Sequence, residues 1–417
     1  MKNVIYAMLC FSLFFCHLSR LQAETSKIQQ TPDKSAQPST LTTQRSLIKD
    51  NKDKNETIIN TKKSSQKIKN FMEQENNQLS TEFPYRLNLF EKGQIAKNKA
   101  GVRISESAQQ FANLGLTGLL FYYKLFDHSM RVPHWHANAD EVGVVLNGKM
   151  KITIWDGIGK SKIFTVEKNG TWLIPKATLH VLENVGDSEL DFLVAYNSSN
   201  AADRDFATAW AALPSDLLER SLGLSAEDID TLKRTTSNRL SLTDPSSVPE
   251  RAIIPSPFSG NFSGVNPVYT SALGSIRRID EKTTPAMKAM AIQQTIMNPG
   301  TLREPHWYTA NDTLFFVTKG SAFFTMMDNE GKVYKAIIKP GDLVFIPIGT
   351  FHSYLNIAEE PLEIYEVFNA SKDLSEINLL SGAQQFSAGT LSSATGLDKS
   401  VTEKILKKAP QKYMIPF

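Results

Sequence analysis

From Tyr85 onwards, short apolar runs alternate with clusters of Gly, Asn and Asp. The runs include LTGLLFYYKLF, KMKITIW, TWLIP and LDFLVAY. Runs of about four to eight residues with such turn residues between them are typical of strands in a β-sandwich or β-barrel. The pattern therefore predicts an all-β fold for most of the 417-residue chain.

Two stretches show helical signals instead. LPSDLLERSLGLSAEDIDTLKR offers Ser215 and Ser225 as N-caps and Gly223 as a C-terminal stop, and ATGLDKSVTEKILKK near the C-terminus is comparable. Between them, DPSSVPERAIIPSPFSGNFSG is dense in Pro, Ser and Gly, which predicts a linker. Each β-rich region is thus followed by a helical appendix.

The chain repeats one pattern at a constant distance. The motif RVPHWHANADEVGVVLNG, which begins at Arg131, returns 172 residues later as REPHWYTANDTLFFVTKG. IPKATLHVLEN returns as IPIGTFHSYLN with the same offset, so His134 aligns with His306 and His180 with His352. A constant offset across separate motifs indicates two copies of one β-domain.

The beginning of the chain differs in composition. Residues 1–23, MKNVIYAMLCFSLFFCHLSRLQA, have a positive start, an apolar run and a small residue at the end, which predicts a cleaved signal peptide. Export to the periplasm or the exterior follows; a membrane anchor is the alternative, but the apolar run is too short to span a bilayer comfortably. Both cysteines lie in this segment, so the mature chain would offer no thiolate ligand.

Residues 24–80 are polar and poor in aromatic side chains, which predicts a disordered tether with a short helix near Lys67 to Asn77. A basic surface-binding tail is the alternative, although charges of both signs are mixed there. The remaining predicted segments are the first β-domain at 81–236, a linker at 237–262 and the second β-domain at 263–417.

Charge and composition limit the classes of partner. A chain with 41% hydrophobic residues can form ordinary globular domains, and its formal net charge is only +3. We find no basic face or recognition motif that would indicate nucleic acid. No stable membrane span is expected after signal cleavage, and the oligomeric state stays open, a homo-oligomer included.

The histidines are concentrated in the repeated motifs, which hold five of the seven. His134 and His136 are two residues apart in a predicted strand and therefore face the same side. Glu141 would begin the next strand, and His180 would come from a strand across the domain. Such a nitrogen and oxygen set suits manganese, iron, nickel or zinc and leaves coordination positions open for substrate.

The two motifs resemble the cupin signature, which is His-x-His with a glutamate and a later glycine, then Pro-x-Gly-x-x-His-x-x-x-Asn. Two copies with helical appendices look like the bicupins of the oxalate decarboxylase family. The resemblance implies two tandem jelly-roll β-barrels. It also implies a manganese ion at His134, His136, Glu141 and His180.

The second copy departs from the signature at two ligand positions. Tyr308 replaces the second histidine, and Thr313 replaces the glutamate. His306 and His352 alone lack the anionic ligand that neutralises a hard divalent ion. We therefore expect the second domain to keep its fold and to have lost its metal.

Arg131 and two aspartates are the candidate catalytic residues. Arg131 lies three residues before His134 in an extended run, where its guanidinium can offer two donors to a carboxylate; a surface ion pair is the alternative. The resemblance implies oxalate as substrate, with dioxygen assisting, and a lid glutamate as proton donor. The matching stretch here is NAADRDF, so Asp203 and Asp205 are the candidate acids, with helix capping as the alternative.

Several functions remain open on the sequence alone. The first is an exported, manganese-dependent decarboxylase that converts oxalate to formate and carbon dioxide. If neither aspartate donates a proton, oxidation with release of peroxide is expected instead. A bicupin that binds metal or a small carboxylate without turnover is the non-catalytic alternative, and other cupin chemistries share these ligands.

Overall fold

A computed structural model describes residues 65–106, 111–115, 117–243, 256–409 and 413–417. The predicted signal peptide and most of the predicted tether lie outside these ranges. The described residues belong to one compact unit, residues 61–417. No helix within the described ranges is long and apolar enough to cross a membrane.

The first domain contains two antiparallel sheets. One has seven strands, in the spatial order β14 (Ser259–Asn261), β9 (Gly170–Ile174), β6 (Glu141–Asn147), β11 (Leu190–Tyr196), β4 (Leu119–Leu125), β3 (Gly101–Ser105) and β2 (Gln94–Asn98). The other has six strands, in the order β12 (Asp203–Asp205), β5 (Ser129–His136), β10 (Leu179–Asn184), β7 (Lys149–Trp155) and β8 (Lys162–Glu167), with β13 (Leu240–Leu242) also paired to β5.

The second domain repeats this arrangement. Its seven-stranded sheet has the order β1 (Arg86–Asn88), β22 (Asp342–Ile346), β19 (Thr313–Lys319), β24 (Leu362–Phe368), β17 (Ala291–Met297), β16 (Gly274–Ile279) and β15 (Tyr269–Ser271). Its six-stranded sheet has the order β21 (Val333–Ile338), β20 (Ala322–Met327), β23 (Phe351–Asn356), β18 (Thr301–Tyr308) and β25 (Glu376–Asn378), with β26 (Met414–Pro416) also paired to β18.

Helices precede the sheets and follow each domain. They are α1 (65–75), α2 (Leu89–Lys92), α3 (Phe206–Ala212), α4 (Ser215–Leu222), α5 (Ala226–Lys233), α6 (Leu379–Ala383), α7 (Ala388–Thr395) and α8 (Lys399–Lys407). The predicted caps are present in part. The Ser225 side chain caps α5 in a capping box, and Gly223 ends α4 in a left-handed conformation, but α4 begins after Pro214 without a side-chain cap.

Each domain is a pair of facing sheets and not the closed barrel that the family resemblance implied. Within the described residues, separate hydrogen-bonded ladders build the seven-stranded and six-stranded sheets. In a double-sheet jelly roll, inward side chains of the two sheets form the core, so no continuous ladder is needed to close it. Alternating apolar positions fit both arrangements, because each buries one face of every strand.

The seven-stranded sheets also join the two domains. Strands β6 and β19 are buried on both faces over five successive residues. One cluster of buried apolar side chains continues from the first domain to Leu314, Phe316 and Phe345 of the second. Strands covered on both faces are expected to be largely apolar, and after the first residue of each, Glu141 and Thr313, the buried residues of these strands are apolar.

Residues 65–88 pack on the second domain, although they precede the first in sequence. Strand β1 extends the edge of the second domain's sheet, with Arg86 opposite Val344. The Phe71 ring of α1 contacts Phe323 and Phe417, with ring centroids 5.0 and 5.1 Å apart. Residues 65–75 thus form α1, which overlaps the helix expected near Lys67 to Asn77, and Phe71 anchors this part of the predicted tether on the second domain.

The predicted linker also contributes structure. Its residues 240–242 and 259–261 form β13 and β14, which pair with β5 and β9 of the first domain. Each is only three residues long. Strands this short show too little hydrophobic periodicity to be predicted. The composition of the segment, rich in Pro and Ser, indicated a linker instead.

Candidate metal centre in the first domain

Four buried side chains converge between the sheets of the first domain. His134 and His136 lie on β5, Glu141 begins β6, and His180 lies on β10. The ladder places His180 directly opposite His134, and their ring centroids are 4.0 Å apart. One ligand atom from each of the four residues lies within 4.8 Å of the others. The structure thus brings the predicted metal ligands together.

Backbone contacts fix the tautomers of two of these histidines. Nδ1 of His134 lies 2.7 Å from the carbonyl oxygen of Val132, and Nδ1 of His180 lies 2.9 Å from that of Thr178. Since a carbonyl oxygen only accepts, each Nδ1 carries the hydrogen and each Nε2 presents a lone pair. Both Nε2 atoms are buried and make no hydrogen bond. This is the form in which imidazole binds a metal.

Glu141 supplies the anionic member of the group. Its Oε2 lies 3.1 Å from Nε2 of His136 and 3.5 Å from Nε2 of His180. Burial opposes its ionisation, but these two histidines outweigh burial and hold the pKa of Glu141 well below its usual range. Burial, aided by the nearby Arg131, lowers the pKa of His134 well below its usual value. A carboxylate and imidazole nitrogens form the mixed oxygen and nitrogen ligand set that a divalent ion can take.

Arg131 lies beside this group and is almost fully buried, at 2% exposure. Its Nη2 donates to Oδ2 of Asp203 at 2.6 Å, and its Nη1 donates to the carbonyl oxygen of Arg239 at 3.3 Å. The predicted alternative, a surface ion pair, is therefore wrong, because the pair is internal. A guanidinium buried in this way is oriented by its partners rather than by solvent.

Asp203 lies on β12, opposite His136 in the ladder. Its Oδ2 is also 3.2 Å from Nε of Arg239. Burial alone would raise its pKa, but Arg131 outweighs burial and lowers the pKa of Asp203 below its ordinary value. In this arrangement Asp203 is an ionised partner of two arginines and not a proton donor.

Asp205 serves as a helix cap. Its side chain accepts hydrogen bonds from the backbone N and from Oγ1 of Thr208, both at 2.9 Å, and from the hydroxyl of Ser237. This is the N-cap of α3. The structure therefore corrects the assignment of Asp205 as a candidate acid, because its carboxylate is occupied by the donors of the first helical turn.

The second domain retains two histidines in the same form. Nδ1 of His306 lies 2.7 Å from the carbonyl oxygen of Glu304, and Nδ1 of His352 lies 2.9 Å from that of Thr350. Burial lowers the pKa of His352 to about 4. Among the described residues, the first domain provides the group of three or more His, Cys, Asp or Glu ligands that could hold a metal.

A buried carboxylate that the sequence analysis missed, Glu366, binds the tyrosine of the second domain. The hydroxyl of Tyr308 donates to Oε1 of Glu366 at 2.7 Å, while Gln293 and Thr295 donate to Oε2 at 2.6 and 2.9 Å. Glu366 is fully buried on β24. No motif marks it, since the corresponding residue of the first copy is Val194.

The arginine and acid pair of the first domain has a counterpart in the second. Nη2 of Arg303 donates to Oε2 of Glu376 at 2.6 Å, and its Nη1 donates to the carbonyl oxygen of Tyr413 at 3.1 Å. Both side chains are buried. Because the pair also occurs in the domain without the complete ligand set, it is a structural feature of this fold and not by itself evidence of catalysis.

Comparison with known proteins identifies the family. Residues 87–230 and 261–411 each match the cupin family. Oxalate decarboxylase of Bacillus subtilis is 25% identical over 289 residues, which covers 67% of this chain and 72% of that protein. Oxalate oxidase of Triticum aestivum is 28% identical over 108 residues, covering 24% of this chain and 48% of that protein.

The fold is shared with the same bacterial enzyme. A solved structure of a variant of Bacillus subtilis oxalate decarboxylase superposes with a TM-score of 0.71 and 18% identity, covering 81% of this chain and 90% of that one. Another structure of that enzyme is described in terms of its Mn(II) centres. Two cupin matches, the tandem fold and the sequence similarity agree with one another. The chain belongs to the cupin family and is a bicupin of the oxalate decarboxylase family.

Proposed function

We propose that this protein is an exported, metal-dependent enzyme that degrades oxalate at its first domain. The observation that carries the proposal is the buried group of His134, His136, Glu141 and His180, with ligand atoms within 4.8 Å of one another. Oxalate as the substrate is supported by the similarity to an oxalate decarboxylase and an oxalate oxidase. Export rests on the composition of residues 1–23 alone.

The four side chains would hold manganese, and iron, nickel and zinc share their ligand preference. When bound, manganese would supply open positions for substrate oxygen atoms and one-electron chemistry, with dioxygen as the assisting oxidant. The protein's own contribution is a buried, fixed cation, Arg131, beside these ligands. A buried guanidinium is suited to an anion because it is oriented before the anion arrives.

The ion pair between Arg131 and Asp203 defines the order of events that we propose. A substrate carboxylate takes the place of Asp203 on Nη2 of Arg131, and β12 moves to release the aspartate. Asp203 then loses the Arg131 guanidinium, the larger of the two arginine effects that lower its pKa, so its pKa rises and it takes up a proton from solvent while β12 is displaced. After carbon dioxide has left, Oδ2 of Asp203 delivers a proton to the remaining carbon, which gives formate.

Oxidation is the expected outcome if the proton is not delivered. The same oxalate would then yield carbon dioxide with peroxide as the reduced product of dioxygen. Asp203 therefore decides the balance between the two reactions, since Asp205 is engaged at the start of α3. The ratio of formate to peroxide measures that balance directly.

A second function, binding without turnover, is favoured by one specific observation. Asp203 is held by both Arg131 and Arg239, so the resting site lacks a protonated acid on β12. A protein that binds metal or a small carboxylate without converting it would have no need of such an acid. Product analysis distinguishes this alternative from the enzyme.

The test is incubation of the purified protein with Mn(II), oxalate and air, with formate, carbon dioxide and peroxide measured together. We expect formate and carbon dioxide in equal amounts with little peroxide. His136→Ala, which removes a ligand, should abolish both products. Oxalate that remains intact while the protein retains metal would refute the enzyme and favour the binding function.

A further inference from the structure

We propose that Trp172 is a positioning residue for the metal centre, where its indole N–H holds Glu141 so that one carboxylate oxygen faces the ion. This inference rests on the metal centre proposed above. It assigns a role to a residue that carries no ligand atom.

The indole separates the two oxygens of Glu141. Nε1 of Trp172 donates to Oε1 at 2.9 Å, while Oε2 faces His136 and His180 at 3.1 and 3.5 Å. Indole N–H can only donate, so it uses Oε1 as its acceptor and leaves Oε2 as the free ligand atom. Such a contact to a ligand's second atom orients the ligand before metal arrives.

Packing fixes the position of the indole. Trp172 is fully buried and lies opposite Gly143 in the ladder between β9 and β6. A Cβ atom at position 143 would lie 2.2 Å from Cζ2 of the indole, so any side chain there would displace the ring. The ring also contacts Phe192 edge to face, with centroids 5.9 Å apart. Gly143 therefore provides the space that lets the indole reach Glu141.

The internal repeat provides a comparison within the same molecule. In the second domain the same ladder positions hold Thr313, Phe315 and Val344, with Phe315 opposite Val344. The carboxylate, the indole and the glycine that makes room for it are thus all replaced in the second domain. Phe315 stands at the position that corresponds to Gly143. Oγ1 of Thr313 is buried without a hydrogen-bond partner in the described part of the chain. The ligand and its donor differ together between the two domains.

The experiment measures Mn(II) affinity of the full-length protein with Trp172→Phe, which removes the donor and keeps an aromatic ring. We expect affinity to fall by ~10- to 100-fold, the range for loss of a hydrogen bond to a metal ligand. The electron paramagnetic resonance spectrum of bound Mn(II) should also change, because Glu141 is free to turn. Trp307→Phe is the matched control, since Trp307 lies on β18 of the second domain, away from the proposed metal centre.

The outcomes separate this inference from the proposed function. If wild-type protein fails to bind Mn(II), the metal centre itself is wrong. If wild type binds and Trp172→Phe binds equally well with an unchanged spectrum, the positioning role is overturned and the metal centre stands. A lower melting temperature with unchanged affinity would likewise overturn it, because Trp172 would then serve packing alone.

A second set of variants tests the inference independently of Trp172→Phe. Tyr308→His with Thr313→Glu restores the ligand types of the second domain, and Phe315→Gly with Val344→Trp adds the indole and its space. We expect a second tightly bound Mn(II) with all four changes and at least ~10-fold weaker binding with the first two alone. Equal affinity in both variants would contradict the positioning role.

Discussion

Arg131 and Asp203 form a buried ion pair, with 2.6 Å between Nη2 and Oδ2, directly beside the proposed metal ligands. Asp203 stands opposite His136 in the β-ladder, on the edge strand of the sheet that carries three of those ligands. In the proposed reaction, a substrate carboxylate that binds Nη2 of Arg131 replaces this aspartate. The pair therefore links access to the site with release of the candidate proton donor.

Asp203→Asn should separate binding from proton delivery. The variant removes the negative charge that competes for Arg131, so we expect a lower KM for oxalate together with a ~10²-fold loss of formate turnover, the lower range for loss of a general acid. Steady-state kinetics of formate release measure both quantities. Glu376→Gln is the matched control, because it alters the equivalent pair in the second domain and should leave kinetics unchanged. Equal effects of the two variants would show that Asp203 acts through stability alone.

Asp205→Ala should destabilise the protein without removing a chemical group from the reaction. Loss of an N-cap costs about 1 kcal/mol, and α3 would lose the acceptor for Thr208. Asp205→Asn keeps a capping oxygen and should retain most of the free energy of unfolding, measured by chemical denaturation. A stable Asp205→Asn variant that has lost formate production would contradict the capping assignment.

Glu106 should make the protein less stable as the pH rises. It is 3% exposed, and burial raises its pKa to about 8 from an ordinary value of 4.5. Between these pH values the folded state binds more protons than the unfolded state, so stability present at low pH is lost as pH rises towards 8.

Glu106→Gln removes this titration while keeping an acceptor for the backbone N of Leu120. Relative to wild type, the variant should gain on the order of 1–4 kcal/mol between pH 5 and pH 8 in urea unfolding. The exposed Glu167→Gln serves as control. Parallel pH profiles for wild type and Glu106→Gln would show that Glu106 is ionised in the folded state.

The metal ligands could be predicted because their signal is local. Spacing puts His134 and His136 on one face of a strand, the constant repeat offset pairs His180 with His352, and the resemblance to the cupin signature implies Glu141. The role proposed for Trp172 could not be predicted in this way. It depends on the pairing of Trp172 with Gly143 across two strands, and the sequence of neither strand alone determines that register. Glu366 was missed for the related reason that the first copy has no carboxylate at that position.

Strand pairing between residues far apart in the chain also could not be predicted from the sequence. Arg86 precedes the first domain in the chain yet pairs with Val344 of the second. A three-residue strand carries too little periodicity to indicate its partner, and the choice depends on an edge formed more than two hundred residues later. The same reasoning applies to Asp203 and Asp205, whose different roles follow from their neighbours and not from their shared motif.

Tyr308→Phe should weaken the second domain and leave the metal content unchanged. Removing the hydroxyl deprives Oε1 of Glu366 of its donor, which costs about 1–3 kcal/mol for a buried acceptor. Tyr354→Phe is the matched control, because it removes another buried hydroxyl of the second domain that is not among the donors to Glu366. A change in bound metal in Tyr308→Phe would show that the tyrosine itself takes part in a second site.

The central claim is that the first domain alone holds a metal ion, and elemental analysis of the purified protein tests it most directly. One equivalent of tightly bound divalent metal per chain is expected, because one complete ligand group is present in the described structure. His136→Ala should remove it, and His352→Ala should retain it. Two equivalents in wild type, or one equivalent that survives in His136→Ala, would contradict the account.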